Sequence, residues 1–233
     1  MAYIIINGKS SETIKGLLIQ SLPPITKPKM RTDSIEIDGR DGDIVTELGY
    51  SAYDKAIKIG LFDKFRIDDI IAYFTSKGSI IFSNEPDKYY NFSMLDQIDF
   101  NKLIRFKTAD VNFHIQPYKY SVTQGEKVIT PDSNSFTINN SGNTVALPTV
   151  NIVGSGVINI YLNGLQILTV NMPVNQTNIT IDAEAMEAYN NNGLQNRAVS
   201  GNYDNFKLIT GINTISWTGN VTRVSISKYS RWI

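Results

Sequence analysis

Apolar and polar positions alternate along most of this chain, which is the pattern of strands with one face buried. Tyr3-Ile-Ile-Ile6, closed by Asn7-Gly8, predicts a strand and a turn. Pro23, Pro24 and Pro28 forbid a helix interior or a central strand across their stretch. Ser34 to Asp38 alternates, Gly39 to Gly42 turns, and Ile44 to Leu48 is strand-like again, so a hairpin is predicted around Asp38-Gly-Arg-Asp-Gly42. Tyr53 to Leu61 alternates with Ile57, Ile59 and Leu61 on one side. One segment has helical period: Ile67, Ile70, Ile71 and Phe74 form a stripe, with Asp68 and Asp69 at the positive end of the dipole. Lys77 and Gly78 predict its C-terminal end. Strands follow at Ser79–Ser83 and Tyr89–Leu95, then a long alternating run. There Ile104, Phe106, Thr108 and Asp110 share one phase, and Val111, Phe113 and Ile115 the other. A switch near Ala109-Asp110 predicts a bulge or a sheet crossing.

The second half reads as β throughout. Pro148–Val153, Gly156–Leu162 and Leu165–Val170 are predicted strands, the last two joined by Asn163-Gly164, a strong hairpin signal. Asn178–Ile181, Asn213–Trp217 and Val221–Ile226 continue the series, with Thr218-Gly219-Asn220 as a tight connection. Ala183 to Tyr189 fits a short helix or a strand equally well. Many short strands with regular turns predict a β-sandwich.

Composition divides the chain in the same way. Residues 1–120 hold 16 basic and 16 acidic residues but 5 Asn; residues 121–233 hold 6, 6 and 18. Two domains are expected, residues 1–122 and 123–233, with the last few residues free to pack back on the first. The boundary falls in Ser121–Glu126 or in the turn-rich Thr130-Pro-Asp-Ser-Asn134. The expected fold is mainly β: an α+β sandwich or split barrel with one helix, then a galectin-like or carbohydrate-module-like sandwich. A formal net charge of zero lacks the basic footprint of a nucleic-acid binder. No Cys removes disulfides, thiolate metal sites and cysteine nucleophiles. The opening residues have no basic region before a long apolar stretch, and no apolar run reaches the roughly 18 residues of a membrane span. A soluble protein made in the cytoplasm is therefore expected.

Little in the chain points to catalysis. His114, the sole histidine, sits among Phe113 and Ile115 in an alternating strand. It reads as a general base or, more simply, as a polar residue on an outer face, and no Gly-x-Ser-x-Gly elbow accompanies it. Asp38, Asp41 and Asp43 suggest a Ca²⁺ loop, but their spacing does not supply the alternating oxygens and distal Glu of an EF-hand. Asp182, Glu184 and Glu187 could form a hydrolytic pair, as acidic residues in any chain could. Tyr203 and Trp217, among many amides, are the candidate glycan or partner contacts; the plainer alternative places Tyr161 and Trp217 in the core or at its edge, with Asn filling turns. No catalytic residue, cofactor site or metal site is assigned.

Three stretches together resemble the distal tail protein (Dit) family of long-tailed, non-contractile bacteriophages. They are Asp38-Gly-Arg-Asp-Gly-Asp43 after a proline-rich lead-in, the strand ending Phe113-His-Ile-Gln-Pro-Tyr-Lys-Tyr120, and Leu208–Gly219 with the terminal Ser230-Arg-Trp-Ile233. The resemblance implies the compact form of the family, without a large inserted sugar-binding module. It implies a homohexameric ring made by the first domain, stacked on the major tail (tube) protein, with the tail-associated tip protein below. It also implies an outward sandwich that in some relatives carries receptor-binding proteins. Such a protein is a structural hub of the tail tip or baseplate, not an enzyme, and its place is the virion tail or a related phage-derived particle. Asp38, Gly39, Arg40, Asp41 and Gly42 are the candidate inter-subunit residues. The alternative is a carbohydrate-binding protein that recognises cell-wall glycans.

Overall fold

The computed structural model describes residues 2–129, 134–172 and 177–233; Thr130 to Ser133 of the candidate boundary lie outside them. Two compact units emerge, one ending at Val122 and the other spanning Thr123–Trp232. Strands dominate both.

The first unit contains β1 (Ile4–Ile6), β2 (Lys9–Ser10), β3 (Leu17–Ser21), β4 (Met30–Glu36), β5 (Asp43–Tyr50) and β6 (Tyr53–Leu61). It continues with α1 (Ile67–Tyr73), β7 (Lys77–Phe82), β8 (Lys88–Ser93), α2 (Phe100–Phe106) and β9 (Thr108–Ser121). Seven strands form one antiparallel sheet in the order β2-β1-β7-β8-β9-β6-β3. Alternation sends Ile57 and Ile59 of β6 and Val111, Phe113 and Ile115 of β9 to one face. Ile70 of α1 and Leu103 of α2 cover that face, and the ring of Phe113 packs against those of Phe74, Phe82 and Phe92.

Two sequence expectations are corrected here. The helix stops at Tyr73, because Lys77 pairs with Ser93 and draws the chain into β7. Gly78, with φ +148°, is a strand residue rather than a helix cap; a Cβ there would collide with the Asn7 side chain. The apparent phase switch before β9 is a second short helix, not a bulge. Asp99 caps α2 by accepting from Lys102 N at 2.9 Å, and Lys107, with φ +59°, ends it in the left-handed region.

The second unit contains β10 (Lys127–Ile129), β11 (Ser135–Asn140), β12 (Thr149–Leu162), β13 (Leu165–Asn171), β14 (Asn178–Asp182), β15 (Glu187–Asn190), β16 (Gly193–Leu194), β17 (Val199–Gly201) and β18 (Gly211–Ser227). Ala183–Met186 is a turn leading into β15. The expected break at Thr218-Gly219-Asn220 is absent: β18 runs through it, as β12 runs through Gly154-Ser155-Gly156. These two strands pair along both halves, and the register shifts where both bend. Glycines permit the bend: a Cβ at Gly154 would strike the Asn220 carbonyl, and one at Gly219 the Val157 carbonyl. On one side of the bend β10 and β14 flank the pair; on the other, β11 and β13 do. Val150 and Ile152 before the bend and Ile158 and Ile160 after it share one core, so two strands supply the centre of both layers.

The abundant Asn residues are partly structural. Buried Asn140 donates to the carbonyls of Thr144 and Leu208, and buried Asn213 to those of Ile209 and Gly211. Each amide closes a turn that backbone pairing leaves unsatisfied.

Candidate functional site

The feature of the first unit that its own fold does not explain is the β4–β5 ribbon. Its ladder runs from Met30↔Tyr50 to Glu36↔Asp43 and joins no other strand among the described residues. A bulge between Arg31 and Thr32 is bridged by the Arg31 guanidinium, which donates to the Leu48 carbonyl at 3.1 Å. Gly39 and Gly42, with φ +80° and +77°, turn the tip, and Ser34 donates to the Asp43 carboxylate beside it. All five candidate interface residues, Asp38, Gly39, Arg40, Asp41 and Gly42, lie together and exposed on this tip.

Sequence alternation foresaw the hairpin but not its surroundings. Ile35 and Ile44 oppose each other at 55% and 40% exposure, and Ile37, Val45 and Leu48 are exposed as well. These apolar side chains leave 40–55% of their surface open, where the core residues of the same unit leave less than a tenth. An isolated two-stranded ribbon is marginal in water, and both of its edges leave backbone groups unpaired. Residues 30–50 also carry six carboxylates against two arginines. The ribbon is thus an apolar, acidic strap suited to a surface that is apolar with a basic rim.

The other candidate residues occupy different settings. Trp217 is 4% exposed and packs near Phe136 in the sandwich core, so it offers no face to a sugar ring. Its phase in β18 points into the core between the layers. Its indole N–H finds no acceptor among the described residues. Tyr203, in a single 3-10 turn, lies half-buried against the same core, and burial together with the Glu187 charge pushes its phenol pKa up.

His114 pairs across strands with Asp54 at 2.8 Å, and Ser93 stands opposite on β8. The row Ser93, His114, Asp54 has the composition of a nucleophilic triad. However, no hydrogen bond joins Ser93 to His114, and Asp54 is largely exposed, so the serine is not activated. The Asp182 carboxylate accepts from the N–H groups of Glu184 and Ala185, both at 3.0 Å. Burial alone would raise its pKa; the Ala185 N–H, Lys228, Thr149 and the Glu184 N–H together hold it below its ordinary value. Glu184 lies 3.9 Å from buried Arg231. Asp182 thus holds the Ala183–Met186 turn together. Among the described residues, no group of three His, Asp or Glu is placed to hold a metal ion, and no helix is long and apolar enough to cross a membrane.

Sequence reading missed one buried charged group at the ribbon's root. Lys55, Glu85 and Lys119 are nearly inaccessible. The signal was present: Lys55 shares the phase of Ile57, Ile59 and Leu61, and Lys119 that of Val111, Phe113 and Ile115.

No family model and no curated protein matches the sequence. Solved structures do. The SPP1 Dit protein, described as a paradigm of the hub adsorption apparatus in phages that infect Gram-positive bacteria, matches over 100% of both chains. Identity is 17% and the TM-score 0.66. A chain of the phage P2 baseplate, in its activated conformation with Ca, matches over 97% of each chain with 10% identity and a TM-score of 0.55. The chain therefore has a Dit-type fold over its whole length.

Proposed function

We propose that this protein is a distal tail protein: the structural, non-enzymatic hub of a long-tailed phage tail tip or of a phage-derived tail particle. In this reading six copies close a ring through residues 1–122, stacked on the major tail (tube) protein and docked to the tail-associated tip protein. The sandwich of residues 123–233 faces outward, where a receptor-binding protein can attach. The observation that carries the reading is the ribbon, an apolar and acidic element that pairs with no further strand among the described residues, on a protein whose full length follows the Dit fold. A ring needs a head-to-tail contact that closes by rotation, and a strap reaching onto a neighbour is one such contact. Asp38, Gly39, Arg40, Asp41 and Gly42, at its tip, are the residues placed to touch that neighbour.

Electron microscopy of the negatively stained protein tests the reading. Sixfold rings are expected. Particles of a single chain that remain single when the tube protein is added would contradict it. Glycan recognition gains no support from a buried Trp217 and a half-buried Tyr203.

A further inference from the structure

The ribbon leaves the first unit through Leu22-Pro-Pro-Ile25 and returns through Ser51 and Ala52. Its two legs are tied to each other by the Ser51 N–H, which donates to the Lys29 carbonyl at 2.9 Å. Two side chains tie the outgoing leg to the body. Asn84 donates to the Pro23 carbonyl at 2.9 Å, and Lys55 Nζ donates to the Pro24 carbonyl at 2.6 Å. Lys55 is 4% exposed. Among the described residues no carboxylate pairs with it; its ammonium lies 5.5–5.9 Å from the ring centroids of Tyr53, Phe82 and Tyr90. The neighbouring carboxylate, Glu85, is already engaged by Lys119 at 2.8 Å and by the Tyr90 hydroxyl.

Burying a cation that has no ion pair of its own is costly even with the Glu85 charge nearby, because that carboxylate is shared with Lys119, and a leucine at this position would avoid the cost. The side chain is therefore better explained by what it grips than by stability. Proline supplies no N–H, so at Pro23-Pro24 the leg cannot join the sheet by its own donors. Its carbonyls are what the body can hold.

We propose that Lys55 is a latch: its buried ammonium grips the Pro24 carbonyl and fixes the direction in which the ribbon leaves the body, with Asn84 as a weaker second tie. Lys55 is a positioning residue, acting on a distant contact through the ribbon's root. Pre-setting the direction lowers the ordering cost of any contact the ribbon makes. The consequence for ring formation rests on the proposed function; the latch itself does not.

The chain has no Cys, so Asp41→Cys at the tip and Lys102→Cys on α2 give one clean spin-label pair. Distances are read between them in samples diluted with unlabelled protein. In the parent the tip-to-body distribution should be narrow. Lys55→Met should broaden it, whereas Lys58→Met, exposed on the other face of the same strand, should leave it unchanged. A folded Lys55→Met protein with the parental distribution would overturn the latch. If Lys55→Met does not fold, Asn84→Ala, at an exposed position, decides: a smaller broadening supports the latch and an unchanged distribution overturns it. In a self-associating protein Lys55→Met should also weaken association by roughly 5–30-fold, the factor that corresponds to about 1–2 kcal/mol. A protein that never associates would contradict the ring and leave the distance result standing.

Discussion

The β4–β5 ribbon and the β12–β18 pair are both long antiparallel ladders with a register shift, and they use their side chains in opposite ways. Along β12–β18, apolar residues such as Val150, Ile160, Ile215 and Val224 enter a closed core, and both strands bend so that each serves two layers. Along β4–β5 an equally regular alternation leaves Ile35, Ile44, Val45 and Leu48 exposed. Backbone pairing is the same in both. What differs is where the apolar faces lie: the sandwich's are closed within the chain, and the ribbon's stay open, which is what the proposed ring contact uses. An exposed apolar ladder contributes little to folding and can contribute much to association.

The largest effects belong to the bodies, not the ribbon. Phe113→Ala removes a fully buried ring that touches three others and should cost about 3–5 kcal/mol in chemical denaturation. Replacing Ile35 and Ile44 together by Ser should move the unfolding free energy by no more than about 0.5 kcal/mol, as exposed substitutions do, while abolishing self-association on a sizing column. A large stability loss from that pair would erase the contrast drawn above.

Both pH limits sharpen the comparison, because the groups responsible lie in the bodies. Burial raises the phenol pKa values of Tyr53, Tyr73 and Tyr90 above the ordinary 10.0. Above that pH the unfolded chain releases protons that the native protein retains, so stability should fall as pH climbs from about 10. Tyr73→Phe should make that fall shallower in urea titrations across pH. Asp182 works in the opposite direction: with its pKa held below 3.8, its contribution is complete above that value and disappears as pH falls through the lowered one. Asp182→Asn should cost about 1.5–3 kcal/mol at neutral pH, the range for hydrogen bonds to a charged group, and flatten the acid limb. Trp217→Phe should have the smallest effect of the core substitutions, at most about 1–1.5 kcal/mol, because the lost ring volume is offset by removing an N–H with no acceptor among the described residues.

Much of the fold is legible in the chain, and the misses share a cause. Asn7-Gly8 and Asn163-Gly164 mark their turns because both residues tolerate positive φ, which they adopt. The helix at Phe100–Phe106 was hidden because Ile104, Phe106 and Thr108 mimic alternation across a helix-to-strand junction; the Asp99 cap and the spacing of Phe100, Leu103 and Ile104 were the competing signal. Thr218-Gly219-Asn220 looks like a turn but is a bend inside a strand, since only the facing Gly154-Ser155-Gly156 reveals that both strands turn together. For the candidate site, Gly39 and Gly42 disclosed the tip. Its exposure was not readable, because an apolar face left open carries the same alternation as one buried within the chain. Trp217 shows the converse: an aromatic in an amide-rich domain suits a binding site by composition and a core by phase, and phase decides.

The most direct test of the central claim is the mass of the purified protein in solution, measured by light scattering over a range of concentrations beside a variant with the ribbon cut back to a short turn. The account predicts a species near six times 26.0 kDa for the full chain and 26.0 kDa for the trimmed one. A trimmed protein that associates as strongly as the full chain would contradict the ribbon's role.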